Sequence, residues 1–385
     1  MDNTRKILRR KRLKRERLLI HILREQRKHF IRISTIKLYK PKITFMEGVA
    51  ILVGTQIGAG VLGLPYAASR VGFFLAATIL FGITLLMLFT ALIVLKYSAE
   101  MGGMQMSNLA QKIFGKFGGW VMYVSIFIMS FGALLAYVAG MGNVFSSLFG
   151  VNETSSALLF WLFASIIIYL GIEASGKTEL ILSFFMLFLF TAVIFMLLPT
   201  AKVENGLYTN FGGVLSMMGV AIFSLGCHTV IPDVYNGLGD YNKAKKAVIL
   251  SFIIPAIIYA VFMASFLFSF GRNTPQIATQ ALQSIYGRVG NIIGNIIPMV
   301  AITTSYIGVA LAQQSNTKYF FNIKKIYAWL ITAIPPIAIY LLGIKNFASI
   351  LAFAGDTGDM VAFIILPIAI LVANKWKKCR SQHLA

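Results

Sequence analysis

Long apolar stretches alternate with short polar turns along almost the whole chain. A window of bilayer length picks out ten candidate spans, at about 43–68, 72–95, 118–143, 156–172, 179–199, 211–232, 247–270, 289–313, 326–343 and 346–373. Each approaches or exceeds the ~20 apolar residues a helix needs to cross a hydrocarbon core. The connections are short, polar and marked by Gly, Asn or Pro, which stop helices. The pattern predicts an all-α polytopic membrane protein of about ten transmembrane helices.

Two spans break their own pattern. The first carries Gly58-Ala59-Gly60 in its middle and reaches Pro65; the sixth carries Ser224-Leu225-Gly226-Cys227-His228 and reaches Pro232. Glycine and proline form helix poorly, and an unwound backbone in hydrocarbon leaves N–H and C=O groups unpaired. That is tolerated only where they line a cavity or bind something. Five spans separate the two breaks. Matching breaks in two five-helix halves are what an inverted repeat produces, and they point to a binding site near the membrane midplane.

Composition agrees with a membrane protein and excludes a soluble globule: 58% of 385 residues are hydrophobic, 12% are charged, and the mean hydropathy is +0.78. The net charge of +22 would suggest nucleic acid in a soluble protein, but sixteen of the 35 Lys and Arg lie in residues 1–42. With the N-terminus inside, about thirty basic residues are cytoplasmic, and only Arg70, Lys202, Arg272, Arg288 and Lys345 lie outside. The positive-inside rule therefore puts both termini in the cytoplasm, and the expected location is the cell membrane. Residues 1–42 form a basic tail in which Ile7, Leu8, Leu18, Leu19, Ile22, Leu23, Phe30 and Ile31 alternate with Arg and Lys. It reads as an amphipathic helix on anionic lipid headgroups, each basic residue contributing ~1 kcal/mol. Residues 43–373 are the membrane domain, and 374–385 a short basic tail. Nucleic acid is not an expected partner. Cys227 and Cys379 imply no disulfide framework. The tail is too long, and its apolar run too short, for a cleavable signal.

The segment Ile57-Gly58-Ala59-Gly60-Val61-Leu62-Gly63-Leu64-Pro65-Tyr66-Ala67 resembles the first-helix signature of the amino acid/auxin permease family. It is especially similar to the aromatic and hydroxy amino acid permeases within the amino acid-polyamine-organocation superfamily. Phe223 to His228 with Ile231-Pro232 resembles that family's sixth helix, and Thr303-Thr304-Ser305-Tyr306-Ile307-Gly308-Val309 its eighth. The likeness covers about residues 43–373. It implies the LeuT-type 5+5 inverted repeat with helices 1 and 6 broken. It also implies cation-coupled amino acid uptake by alternating access, spans 1, 2, 6 and 7 moving against 3, 4, 8 and 9. Many members carry an eleventh span that has no counterpart here. The fold permits a monomer.

An amino acid is a zwitterion, and burying either charge unpaired costs several kcal/mol or more. A helix restarting after Gly58, Ala59 and Gly60 offers free N–H groups and a positive dipole end to the carboxylate. Carbonyls around Phe223, Ser224 and Leu225 would receive the ammonium, with Gly226 permitting the break. His228 sits at membrane depth, where an ionisable residue usually faces a cavity or a partner; it is expected to line the pocket, to gate it or to relay a proton. Ala301, Thr304 and Ser305 share a helix face. The resemblance suggests that they join the carbonyls of Gly54 and Ile57 around Na⁺, whereas bacterial members of the aromatic branch are thought to use protons. The cofactor expectation is therefore none beyond a coupling ion, H⁺ or Na⁺. In other relatives a fifth-helix lysine replaces the ion, but Lys177 lies close to the cytoplasm. Asp356 and Asp359 interrupt the last span, and Asp356 is a candidate proton carrier or outer-gate residue. Glu47 is expected to lock an inner gate or to cap its helix. Ser130, Phe131, Ala133 and Tyr137 should flank the side-chain pocket by fold analogy.

No phosphate loop and no Cys/His metal spacing appear, so enzymatic chemistry is not expected. Two alternatives remain: a sensor of the same fold that binds an amino acid without moving it, and a channel. The channel is disfavoured because mid-membrane ionisable residues are too sparse for charged rings.

Overall fold

The protein is described by a computed structural model covering residues 42–171 and 176–382, with side chains described for all of these except 176–180 and 377–382. The basic N-terminal tail and the side chains of Lys177 and Cys379 therefore lie outside the described residues.

The described chain is helical. The first span is two helices, α1 (Phe45–Gln56) and α2 (Gly60–Ser69), bent by 48° at the break. Thr44 starts α1 through a capping box: its hydroxyl accepts from the Glu47 N–H at 3.2 Å, and Glu47 Oε2 accepts from the Thr44 N–H at 2.7 Å. Glu47 is thus a cap, which satisfies two otherwise orphaned donors. Three spans follow as α3 (Phe73–Glu100), α4 (Met106–Phe149) and α5 (Glu153–Leu170). The fifth is α6 (Gly176–Leu197). The sixth is again divided, into α7 (Val214–Ser224) and α8 (Ile231–Leu238), with a 3-10 turn at His228–Val230 between them. The chain continues through α9 (Tyr241–Phe270), α10 (Leu282–Phe321) and the 17-residue α11 (Lys325–Leu341). The last span runs from α12 (Phe347–Ala354) through a π-helical stretch, Gly355–Ile365, into α13 (Leu366–Gln382).

Among the described residues, eight helical stretches are long and apolar enough to cross a membrane, the bent pair makes a ninth, and the shorter apolar α11 completes the set. Helices α4 and α10 run 44 and 40 residues, far beyond the apolar windows at 118–143 and 289–313. Hydropathy registers only what sits in hydrocarbon, and the polar ends stay helical outside it. Both long helices turn at one glycine near the start, Gly115 (φ 72°) and Gly287 (φ 54°). These backbone conformations are open to glycine and costly for other residues. The two kinks precede spans three and eight, so the halves echo each other beyond their broken helices.

Packing sorts the helices into two groups. Helix α9 packs on α1, α2, α3 and α8, while α7 packs on α2 and α3. Separately, α4, α5, α10 and α11 pack on one another. The last span bridges the groups, lying against α4 on one side and α7 on the other. Here Gly355, Asp356, Gly358 and Asp359 lie in a continuous but wider helix. Such π stretches are rare and frequently mark functional sites. The small residues explain the close fit, since a Cβ on Gly355 would collide with the Gly219 carbonyl, and one on Gly132 would come to 2.8 Å from Ala354 Cβ.

Candidate functional site

The first break is short and buried. Helix α1 ends at Gln56, Ile57 leaves helical geometry (ψ 59°), and α2 restarts at Gly60. The Gly58 N–H turns back to the Gln56 carbonyl at 2.8 Å, and the Ala59 N–H donates to Ser305 Oγ of α10 at 3.3 Å. Gly60 and Val61 open α2, where N–H groups have no partner within the helix. Glycine is needed here for approach: a Cβ on Gly58 would run into Ser305 Oγ, and one on Gly60 would lie 2.6 Å from Ser224 Oγ and 3.0 Å from Ser224 Cα. The break of the first span therefore touches the end of α7 on one side and α10 on the other.

The second break is held by its neighbours. Ser224 is the last residue of α7, and its side chain donates to the Val220 carbonyl at 2.7 Å. The Phe223 carbonyl accepts from the Gly226 N–H at 3.2 Å. A residue absent from the sequence expectations ties the two breaks together: the Tyr259 hydroxyl, on α9, lies 2.6 Å from the Gln56 carbonyl and 3.0 Å from the Ser224 carbonyl. It thus serves the terminal carbonyls of both α1 and α7. Gln56 adds a second tie, its Nε2 reaching Cys227 Sγ at 3.2 Å. The signal that could have found Tyr259 was present in the sequence: a lone hydroxyl in an otherwise apolar mid-span stretch, four residues after Pro255.

Around this centre, Tyr137 of α4 is buried. Its ring meets Phe223 edge-on with centroids 6.5 Å apart. Ala133 and Ser130 are buried on the same helix, and Phe131 is half-buried. Ala301 is buried on α10. Thr304 goes elsewhere: it is exposed in a groove with Phe160, Phe163 and Ala164 of α5, and its hydroxyl donates into its own helix, to Val300 at 3.0 Å and Ala301 at 3.2 Å. Gly54 lies one turn before the break and Ile57 at its edge. Of the two hydroxyls expected to hold a cation, only that of Ser305 meets the first break.

His228 and Asp356 also sit away from the Gly58–Ser305 contact. The His228 ring is fully buried, stacks on Phe363 (4.6 Å, 8°) and places Nε2 3.0 Å from Thr90 Oγ1 of α3. It packs between spans two, seven and ten, behind the sixth-span break. Asp356 faces α7, where a Cβ on Gly219 would come 2.6 Å from Asp356 Oδ2. Asp359 is the deeper acid, 1% exposed.

Two interrupted helices meeting in a membrane bundle whose described residues are helical define a fold of the LeuT type. The structure of MhsT in complex with L-phenylalanine shares this fold, with a TM-score of 0.61 and 14% identity over 86% of this chain and 98% of that one. Sequence relatives include glutamine transporter 2 of Aliivibrio fischeri, 27% identical over 86% of this chain and 90% of the relative. Tyrosine-specific transport system 1 of Haemophilus influenzae is 27% identical over 86% and 88%. The sequence profile of the tryptophan/tyrosine permease family matches residues 42–384, and the chain belongs to that family. It is an integral membrane transporter of amino acids, not an enzyme.

Proposed function

We propose that the protein imports a neutral amino acid, aromatic or of similar size, by symport with a monovalent cation and alternating access. The observation that carries this reading is the meeting of the two breaks, Gly60 against Ser224, beside the Ala59 contact with Ser305 of α10. The first break offers helix-start N–H groups to a carboxylate, and the sixth offers helix-end carbonyls to an ammonium. Backbone at Gly58, Ala59 and Gly60 takes the carboxylate end, and Phe223, Ser224, Leu225 and Gly226 the other. Phe223 and Tyr137 supply aromatic surface for the side chain, with Phe131 at its edge. Relatives named for glutamine and tyrosine, and a fold neighbour holding phenylalanine, support a neutral substrate. The coupling ion is H⁺ or Na⁺; a Na⁺ site would draw on Ser305 with the carbonyls of Gly54, Ile57 and Ala301. The transporter works in the cell membrane with both termini inside, and its basic tail rests on anionic headgroups.

The test is thermal stabilisation of the purified protein by each of the twenty amino acids, at two pH values, with and without Na⁺. Ligand at a hundred times its Kd stabilises by ~2.7 kcal/mol. Hits are then followed as uptake into liposomes. Stabilisation by neutral amino acids together with gradient-driven uptake supports the reading. Binding without flux would support a sensor instead, and neither binding nor flux would overturn it.

A further inference from the structure

Asp359 is the one acidic side chain that is fully buried among the described residues, and neither of its oxygens has a hydrogen-bond partner there. It lies in the π-helical stretch of the last span, next to Gly358. Gly358 lets this stretch press on α4: a Cβ there would meet the Met129 N–H and lie 2.6 Å from the Ser125 carbonyl. Asp359 therefore lies in the span that bridges the group containing α7 and the group containing α4.

The surroundings offer no fixed counter-charge. On α4 the titratable groups flanking Ser125 and Met129 are Tyr123, whose hydroxyl is paired with that of Thr317 at 3.0 Å, and Tyr137. Helices α7 and α12 carry no titratable residue, and in α3 Lys96, Tyr97 and Glu100 lie in the last turns, far from the break. The basic residues of α13 begin at Lys375, well past the π stretch. His228 meets that stretch only through Phe363, with Nε2 turned to Thr90, and Asp356 lies one turn earlier against Gly219. An ionised carboxyl without a donor at this depth costs several kcal/mol, and such residues in membranes mark ion pathways. One bound proton removes the charge.

We propose that Asp359 is the proton-carrying group of the transport cycle, a site distinct from the Ser305 cluster. This rests on the transporter reading above and adds the identity of the ion. When the cleft is open to the outside, an O–H bond forms on an Asp359 oxygen as hydronium gives up its proton. When the cleft opens inward, that bond breaks and the proton passes to water, with no electron transfer.

The experiment uses the full chain in liposomes loaded with a pH-sensitive dye and supplied with labelled L-tyrosine, L-tryptophan or L-glutamine. In the unaltered protein, uptake should acidify the lumen, and a one-unit pH gradient should drive about tenfold accumulation per proton carried. Asp359→Asn should keep substrate binding and one-for-one exchange but lose both the acidification and the accumulation. Asp356→Asn should keep all four. If Asp359→Asn does not fold, Asp359→Glu should retain coupling with a displaced pH profile, and acidification by the unaltered protein is read without any variant. Proton-driven accumulation that survives in Asp359→Asn overturns the proposal. So does a folded Asp359→Asn that no longer binds substrate, since the carboxylate would then be holding the ammonium. Uptake driven by Na⁺ alone, without acidification, sinks the proton site and leaves amino acid transport standing. Absence of both binding and flux sinks the two together.

Discussion

Replacing Tyr259 with Phe removes one oxygen from a fully buried ring and leaves the packing of that ring intact. The lost hydroxyl serves two acceptors, the carbonyls that end α1 and α7, at 2.6 and 3.0 Å. It has a single proton, so the two contacts count as one donated bond shared between two helix ends. Side-chain hydrogen bonds in membranes average ~0.6 kcal/mol and reach ~1.7, while a buried carbonyl left without a donor costs ~1–3 kcal/mol. The net loss should be about 1–2 kcal/mol, roughly a 5–30-fold change in an equilibrium constant. Because the two carbonyls end the helices at the proposed substrate site, most of that change should appear in substrate binding. The assay is the dissociation constant of the best-stabilising amino acid, measured in lipid nanodiscs beside the melting temperature of the empty protein. A dissociation constant within about twofold of the original, equivalent to ~0.4 kcal/mol, would refute the reasoning. If the melting temperature fell in that case, Tyr259 would be a brace for the fold and not for the site.

Two further substitutions separate the parts of the centre. Gly58→Ala places a methyl group on Ser305 Oγ; forcing such a contact costs about 1–3 kcal/mol, so binding should weaken by at least about fivefold. Pairing it with Ser305→Ala should restore part of that loss, and a double-mutant cycle that is strictly additive would contradict the contact. Thr304→Ala removes a hydroxyl already committed to its own helix. Any Na⁺ dependence of uptake should stay within about twofold of the original, or ~0.4 kcal/mol, and loss of that dependence would place Thr304 at the ion.

The sequence carried the architecture well because bilayer thickness imposes it: ten apolar runs became ten helical stretches, and both breaks fell where glycine interrupts them. The meeting of Gly58 and Gly60 with other helices was legible as a need for small residues, though not which helices they would meet. Tyr259 escaped notice because its role depends on a crossing between spans one, six and seven, which no local pattern encodes. Thr304 and Ser305 looked equivalent on a helical wheel, but the helix is rotated so that one faces α5 and the other the first break. The aspartates stood out as polar residues at depth. Their ranking did not, because it depends on which side of the last span its neighbours cover, and of the two only Asp359 is fully buried.

The 17-residue helix α11 rises about 25 Å at ~1.5 Å per residue, short of a hydrocarbon core of ~30 Å. It is also fixed in place: Trp329 Nε1 donates to the Ser165 carbonyl at 2.9 Å, and Trp161 Nε1 to that of Ala333 at 2.8 Å, stitching α11 to α5 from both directions. A helix so tethered cannot slide or tilt freely to find its match, so the lipid must do the adjusting. The bilayer should pinch by a few ångströms along this one flank. The permease then carries its own thin annulus of lipid, and thin-membrane surroundings relieve a mismatch that thick ones make worse.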